Sequence, residues 1–392
     1  MTELTSVGQS TVEPEPDGLT EKALLSARTY SDPEFLELEK RYIFGRTWQF
    51  VEFCHNLANP GDVRPVEVNG QPIILLRDSN GELKAFHNVC SHRGSQLVCE
   101  PAQNRKTLVC PYHAWIYDLD GKLFRARHFA GVDQSQIPTT PEEEISLKPV
   151  KVAAWLDFIF VNLDDQAVPF AQVIEPLEQR WADYDFRDIT YSTSLRYDFQ
   201  ANWKLIVENF LESYHVPFIH QTLNTYSPFV ERYQISISDE MRGIGQGTYQ
   251  PQYNDGIELP RWPIRSGATA KAEYFNIFPS FFVGVMPDHF FAWSLEIQSP
   301  TRTVEHLHFY FCGEEAAHDP RYEGCRKTTL NNWKQVNDED WDIIQRMQSG
   351  MRSSSFERAL MSHKMERNIN GFQQRVLGAV GHDHTYGSEG DR

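Results

Sequence analysis

The most constraining feature of this chain is a pair of cysteine–histidine couples, each placed just after a short β-type run. Cys90-Ser91-His92 follows residues 85–89 (AFHNV), and Cys110-Pro111-Tyr112-His113 follows residues 107–109 (TLV). One residue separates the first couple, two the second, and seventeen lie between the couples. A loop carried by rigid strands can project one thiolate and one imidazole. Two such loops, face to face, bring Cys90, His92, Cys110 and His113 to one place. Two kinds of site use that set. A two-iron, two-sulfur cluster takes two cysteines on one iron and two histidines on the other. A structural zinc ion takes all four tetrahedrally. Zinc ligands usually come as a cysteine pair followed by a histidine pair. Here each loop is mixed, which favours the cluster.

The surroundings read as a small all-β domain. The runs VRPVEV, PIILLRD, LKAFHNV, KTLVCPY and WIYDL are separated by Asn69-Gly70, Asn80-Gly81 and Asp120-Gly121, which are hairpin turn signals. Ahead of them, residues 30–48 predict a helix with Asp32 as N-cap and Pro33 at its first position. Beyond residue 165 the pattern becomes mixed. Strands are expected at 158–163, 190–200, 273–286, 289–300 and 303–312, and helices at 202–220, 327–350 and 356–378. Antiparallel strands with helices on one face make an α+β fold. The expected division is a lead-in at 1–20, an N-terminal helix at 21–45 and a β domain at 46–165. A second domain at 166–380 and a loose tail at 381–392 complete it. His382 and His384 in that tail read as frayed chain.

The second domain holds another ligand set. In 202–220, Trp203, Ile206, Val207, Phe210 and Tyr214 form an apolar stripe at helical spacing. Glu212 and His215 share a face. His215 and His220 are five apart, and Pro217 between them predicts a break that turns His220 back. Two histidines and a carboxylate make the facial triad of O2-activating iron. On the helix at 327–350, Asp340 heads the face of Ile343, Ile344, Met347 and Met351, whereas Asp342 lies on the polar side. A carboxylate on a buried face needs a partner, and a metal supplies one.

These two motifs make the chain recognisable. Cys-x-His-Arg-Gly followed by Cys-Pro-Tyr-His-Ala-Trp resembles the ferredoxin-like domain of Rieske non-haem iron oxygenases. The resemblance runs from the helix at 30–48 to about residue 378. It implies a [2Fe–2S] cluster on Cys90, His92, Cys110 and His113, and mononuclear Fe(II) on His215, His220 and Asp340. The second domain would then be catalytic, an antiparallel sheet of the helix-grip type flanked by helices. It implies a distinct part for Glu212, which would bridge an iron-ligand histidine to a cluster-ligand histidine of a neighbouring copy. A cyclic homotrimer follows, with an α3β3 assembly as an alternative. Many members carry Asp at this position, and Glu adds one methylene. The resemblance also implies O2 as co-substrate and NAD(P)H electrons delivered by a flavin or iron–sulfur reductase, directly or through a ferredoxin.

The substrate is less constrained. The formal net charge of −17 argues against nucleic acid and anionic membranes. No targeting run is visible at 1–20 and no apolar stretch is long enough to span a membrane, so a cytoplasmic protein is expected. Without a secretory signal Cys99 is expected to be a small buried residue. Phe210, Phe218, Phe278, Phe281 and Phe282 are candidate pocket residues. They suit an aromatic ring or a quaternary ammonium group held by cation–π contact. Arg242, Arg261 and Arg265 are candidates for a substrate carboxylate. The spacing from Asn-Trp-Lys to His215, and Glu212 itself, resemble the carnitine- and choline-type monooxygenases. Oxidative N-demethylation of a quaternary amine is therefore set beside cis-dihydroxylation or hydroxylation of an aromatic substrate. A Rieske electron carrier without catalysis is the reading of another class. It needs only the first ~165 residues and leaves the second ligand set unexplained.

Overall fold

The computed structural model describes residues 20–381 apart from 252, 254–256 and 268–269. Most of the expected lead-in, and the tail with His382 and His384, lie outside the described residues.

The β-rich first part follows its turn signals. Strands Val63–Val68, Gln71–Arg77 and Leu83–His87 form one antiparallel sheet, and Leu108–Val109, Trp115–Tyr117 and Leu123–Ala126 a second. Asn69 and Gly70 both have positive φ, 51° and 76°, so the two-residue hairpin matches the strand twist. A third sheet joins Gln49–Phe53, Phe158–Asn162 and Lys151–Trp155, bringing the two ends of this region together.

The second part is built on a seven-stranded antiparallel sheet. Its order is Ile189–Phe199, Arg302–Cys312, Phe290–Ser299, Phe281–Val285, Ala272–Ile277, Met241–Gln246 and Arg232–Ser238. From Arg232 onward the strands meander in sequence order. Ile189–Phe199 instead occupies the far edge. The connection between the two edges must cross a face of the sheet, and that connection carries His215 and His220.

Period-two alternation buries both faces of the sheet. Phe275, Phe281, Val283, Phe290 and Tyr310 pack on Trp48, Phe158, Phe160 and helix Phe170–Arg180. Phe282, Phe291, Trp293, Leu307 and Phe309 pack on the helical layer, which includes Glu323–Gly350 and Arg367–Val380.

Four expectations are corrected. The run 273–286 is two strands, because Pro279 lacks an N–H to continue a ladder and the chain turns there. The run 356–378 is a short strand, Leu360–Ser362, followed by helix Arg367–Val380. The helix at 30–48 is shorter: Asp32 caps Pro33–Glu39 by accepting from the Glu34 N–H at 2.9 Å, and a π turn, Lys40–Phe44, closes it. Cys99 is exposed.

Candidate active site

Asn202, Trp203 and Lys204 anchor the helix that leads to the site. The Asn202 side chain accepts the Lys204 N–H at 3.0 Å, and its own N–H donates to Gln348 Oε1 at 2.8 Å. Trp203 Nε1 and Lys204 Nζ donate to the two oxygens of buried Glu39, at 3.0 and 2.5 Å. The N-terminal segment, this helix and helix Glu323–Gly350 are thereby locked together.

The expected continuous helix at 202–220 is broken, and not at Pro217. It stops at Phe210, and one further turn forms at Val216–Ile219. Glu212 accounts for the gap. Its Oε2 accepts the backbone N–H groups of Tyr214 and His215, which an unbroken helix would have satisfied itself. Pro217 sits in the first turn of the new segment, where a missing N–H costs nothing.

The break brings His215 and His220 to 5.0 Å between ring centroids. Asp340 reaches in from the long helix, with Oδ1 3.0 Å from His220 Nε2 and 3.7 Å from His215 Nε2. Among the described residues this is the one set of three ligand-type side chains whose donor atoms all lie within 4.8 Å. Each imidazole is held from behind. His215 Nδ1 meets Glu212 Oε1, and His220 Nδ1 meets Glu339 Oε2 at 2.7 Å. Carboxylates on Nδ1 leave both Nε2 atoms turned inward as ligands, the usual outer arrangement of a metal centre. Asn209 Nδ2 donates to Asp340 Oδ1 at 3.2 Å. Burial lowers the His220 pKa, but the Asp340 and Glu339 carboxylates outweigh it and hold it above its usual value. Such a surplus of carboxylate charge suits a dication, and the donor set fits Fe(II).

The face that carries Asp340 differs from the expected one. It runs through Trp333, Val336, Asp340 and Ile344, whereas Met347 is 40% exposed. Asp342 pairs with Arg346 at 2.9 Å on the polar side, as expected.

The first ligand set is equally well built. Cys90 and Cys110 are buried at the starts of two loops of the same form. Cys90 N donates to Ser95 O at 2.8 Å, and Cys110 N to Trp115 O at 2.8 Å. Gly94 and Ala114, each four residues after its cysteine, have positive φ of 73° and 52°. Tyr117 Oη lies 3.2 Å from Cys90 Sγ and accepts the Ser91 N–H at 3.1 Å. His92 and His113 are 4.6 Å apart, and Trp115 stacks on His92 at 4.8 Å. Burial, with His113 and Arg93 nearby, lowers the His92 pKa, which favours the neutral ring. Nδ1 of both histidines is buried and has no hydrogen-bond partner among the described residues. Two orphaned nitrogens on facing loops fit a metal group. The mixed Cys/His loops suit a two-iron cluster, with the cysteines on one iron and the histidines on the other.

Beside the Asp340 triad lies a pocket with a largely aromatic wall: Phe210, Tyr226, Tyr249, Tyr274, Phe291, Trp293 and Trp333. Of the expected pocket residues only Phe210 lines it. Phe282 stands one layer behind, 4.6 Å from Phe210, and Phe278 packs on Phe372. Phe281 belongs to the opposite face of the sheet, and Phe218 is 68% exposed. None of Arg242, Arg261 and Arg265 lines the pocket; Arg232 does. Its guanidinium donates to Ser227 Oγ at 3.1 Å and Tyr274 Oη at 3.3 Å. Trp333 was within reach of sequence reasoning, since it lies two helical turns before Asp340 on the same face. Gly284 shapes the wall too. It pairs with Phe291, and a Cβ there would sit 2.2 Å from the ring.

Known proteins share parts of this sequence and its fold. The Rieske [2Fe-2S] domain family matches residues 47–138, and the ring hydroxylating alpha subunit (catalytic domain) family matches residues 186–381. The glycine betaine monooxygenase oxygenase subunit of Chromohalobacter salexigens is 37% identical over 194 residues, 50% of this chain and 42% of that protein. The carnitine monooxygenase oxygenase subunit of Escherichia coli strain K12 is 28% identical over 341 residues, 85% of each chain. The crystal structure of the quaternary ammonium Rieske monooxygenase CntA with L-carnitine superposes with a TM-score of 0.74 at 22% identity. The match covers 94% of this chain and 100% of that one. Naphthalene 1,2-dioxygenase from Rhodococcus sp. shares the fold at a TM-score of 0.67 and 19% identity, over 90% and 93% of the two chains.

Proposed function

This chain belongs to the family of Rieske-type ring-hydroxylating oxygenase alpha subunits, and from that membership we propose that it hydroxylates an N-methyl group of a carboxylated quaternary ammonium compound. The observation that carries the substrate class is the pocket wall. Aromatic faces surround the space beside the triad, and Arg232 is the one lysine or arginine that lines it among the described residues. Aromatic cages bind quaternary ammonium, and a guanidinium pairs with a carboxylate. The relatives named for glycine betaine and carnitine act on compounds of that form.

Iron bound at His215, His220 and Asp340 would supply O2 activation, and a cluster at Cys90, His92, Cys110 and His113 one-electron transfer. The chain's own residues set the stage. Glu212 and Glu339 fix the two imidazoles. Asn209 holds the Asp340 carboxylate. The aromatic wall seats the ammonium head and excludes water, so the N-methyl carbon faces the triad. A hydroxylated N-methyl group collapses to formaldehyde and the demethylated amine.

Residues 46–165 serve electron entry in this reading, and 166–380 oxygenation. The partners are a reductase and neighbouring copies in a homotrimeric ring. The triad and the cluster loops both reach the surface: the His215 and Glu212 side chains are 18% and 11% exposed, with exposed Tyr214 and Phe218 beside them. Exposed Tyr112 packs on His113 at 3.7 Å. Glu212 can accept a further hydrogen bond from a neighbour's cluster histidine. Among the described residues no helix is long and apolar enough to cross a membrane, and we place the protein in the cytoplasm.

The test is a substrate panel with a matched reductase. Trimethylammonium carboxylates should support O2 uptake with matching formaldehyde release. Tight coupling to an aromatic acid, with a cis-diol as product, would overturn the proposal in favour of dihydroxylation.

A further inference from the structure

A buried carboxylate stands directly behind the pocket wall, with no lysine or arginine among its ion-pair partners within the described residues. Asp288 is 7% exposed, and the imidazole of His289 beside it is fully buried. His289 Nδ1 lies 2.7 Å from Asp288 Oδ1, and His289 Nε2 lies 2.8 Å from Trp333 Nε1. The tautomer follows from the chemistry of the donors. An indole nitrogen can only donate, so His289 Nε2 carries no proton. Nδ1 then carries it and donates to Asp288. The Tyr253 hydroxyl donates to the other carboxylate oxygen. The linked group of Asp288, His289 and Trp333 therefore holds one net negative charge.

Two rings of the pocket wall rest against this group. The His289 ring centroid is 6.1 Å from that of Trp333 and 6.0 Å from that of Tyr249, and both of those rings line the cavity. The charge is felt at the wall: burial and then Asp288 raise the Tyr249 pKa well above its usual value. Two physical effects act in the same direction. A buried anion is costly until a cation approaches it. An indole that donates into an imidazole, itself anchored on a carboxylate, is polarised along the chain of hydrogen bonds. Its π face, the face a cation meets, becomes more electron-rich.

We propose that Asp288, acting through His289 and Trp333, supplies the counter-charge for the ammonium group of the substrate. This rests on the quaternary ammonium reading above and adds the residues that select for charge rather than shape. Asp288 and His289 touch neither the ligand triad nor the cavity. They are positioning residues, and Trp333 is the contact.

The experiment is equilibrium binding to the iron-loaded full chain. The probes are γ-butyrobetaine and its tert-butyl isostere, in which an uncharged carbon replaces the ammonium nitrogen and the carboxylate is kept. Wild type should prefer the cation. Asp288→Asn should weaken cation binding by about tenfold and leave the isostere unchanged. Trp333→Phe keeps an aromatic face, though a smaller one, and removes the donor; it should shift the preference for the cation over the isostere the same way by less. Cluster absorbance and Tm report folding. If Asp288→Asn does not fold, Trp333→Phe decides alone. Equal losses for both probes, or no loss in folded variants, would overturn the counter-charge while leaving the substrate class intact. Failure of wild type to bind the betaine at all would overturn both.

Discussion

The two ring nitrogens of His220 are divided between adjacent residues of one helix: Glu339 Oε2 lies 2.7 Å from Nδ1, and Asp340 Oδ1 lies 3.0 Å from Nε2. Neighbouring carboxylates thus have different tasks. Asp340 faces the proposed metal position beside His215, and Glu339 holds the ring from outside.

That division separates two variants. Asp340→Ala should lose the mononuclear iron and all turnover while the visible spectrum of the cluster stays. Glu339→Ala should keep the iron but weaken its affinity by roughly 10–100-fold, the usual cost of removing an outer partner. Metal analysis after graded chelation distinguishes them. Equal iron loss in both variants would contradict the assignment.

Arg232 is expected to read the carboxylate of the substrate. Arg232→Met should raise KM for a trimethylammonium carboxylate by roughly 10–100-fold, the loss of a charge-assisted hydrogen bond. Choline, which has no carboxylate, should be affected little. The ratio of kcat/KM for the two compounds is the measurement.

Gly284 lies under the Phe291 ring, so Gly284→Ala must push that ring into the cavity. Overpacking of this kind costs about 1–3 kcal/mol. The expected outcome is a modest fall in Tm with a larger loss of substrate affinity. Smaller trimethylammonium compounds should suffer less than larger ones.

Most candidate ligands were legible because their spacing is local: Cys90 and His92, or His215 and His220, sit within a few residues of each other. The pocket wall was not. Whether Phe281 or Phe282 turns toward the site depends on register, and a shift of one residue exchanges the two faces of a strand. Phe281 went to the opposite core, Phe282 behind Phe210, and the wall came from Phe291 and Trp293 on the next strand. Sequence points to Pro217 for the helix break because proline is a visible breaker. The side chain of Glu212 breaks it earlier by taking backbone N–H groups, and spacing does not reveal that. Arg232 could not be told from Arg242 for the same reason as the phenylalanines.

The network that ties the N-terminal segment to the catalytic helix predicts a pH dependence of stability. Burial raises the Glu208 pKa to about 7, although hydrogen bonds from Tyr30 and Gln373 and the Lys204 charge oppose it. A carboxyl raised in the folded state binds its proton more tightly there than in the unfolded chain. Its contribution is fully present below the unfolded value near ~4.3 and is lost as pH rises through about 7. A shift of this size corresponds to roughly 3–4 kcal/mol. Wild-type Tm should fall between about pH 4 and pH 7 and level off above, and Glu208→Gln should flatten that part of the profile.

A single turnover tests the central claim most directly. The purified iron-loaded protein is reduced chemically, mixed with γ-butyrobetaine and exposed to isotopically labelled O2. The account predicts formaldehyde and the dimethylamino product in equal amounts, with label entering the carbinolamine oxygen and appearing in formaldehyde after correction for exchange with water. Oxidation of the cluster without loss of an N-methyl group, in protein that holds both its cluster and its mononuclear iron, would contradict it.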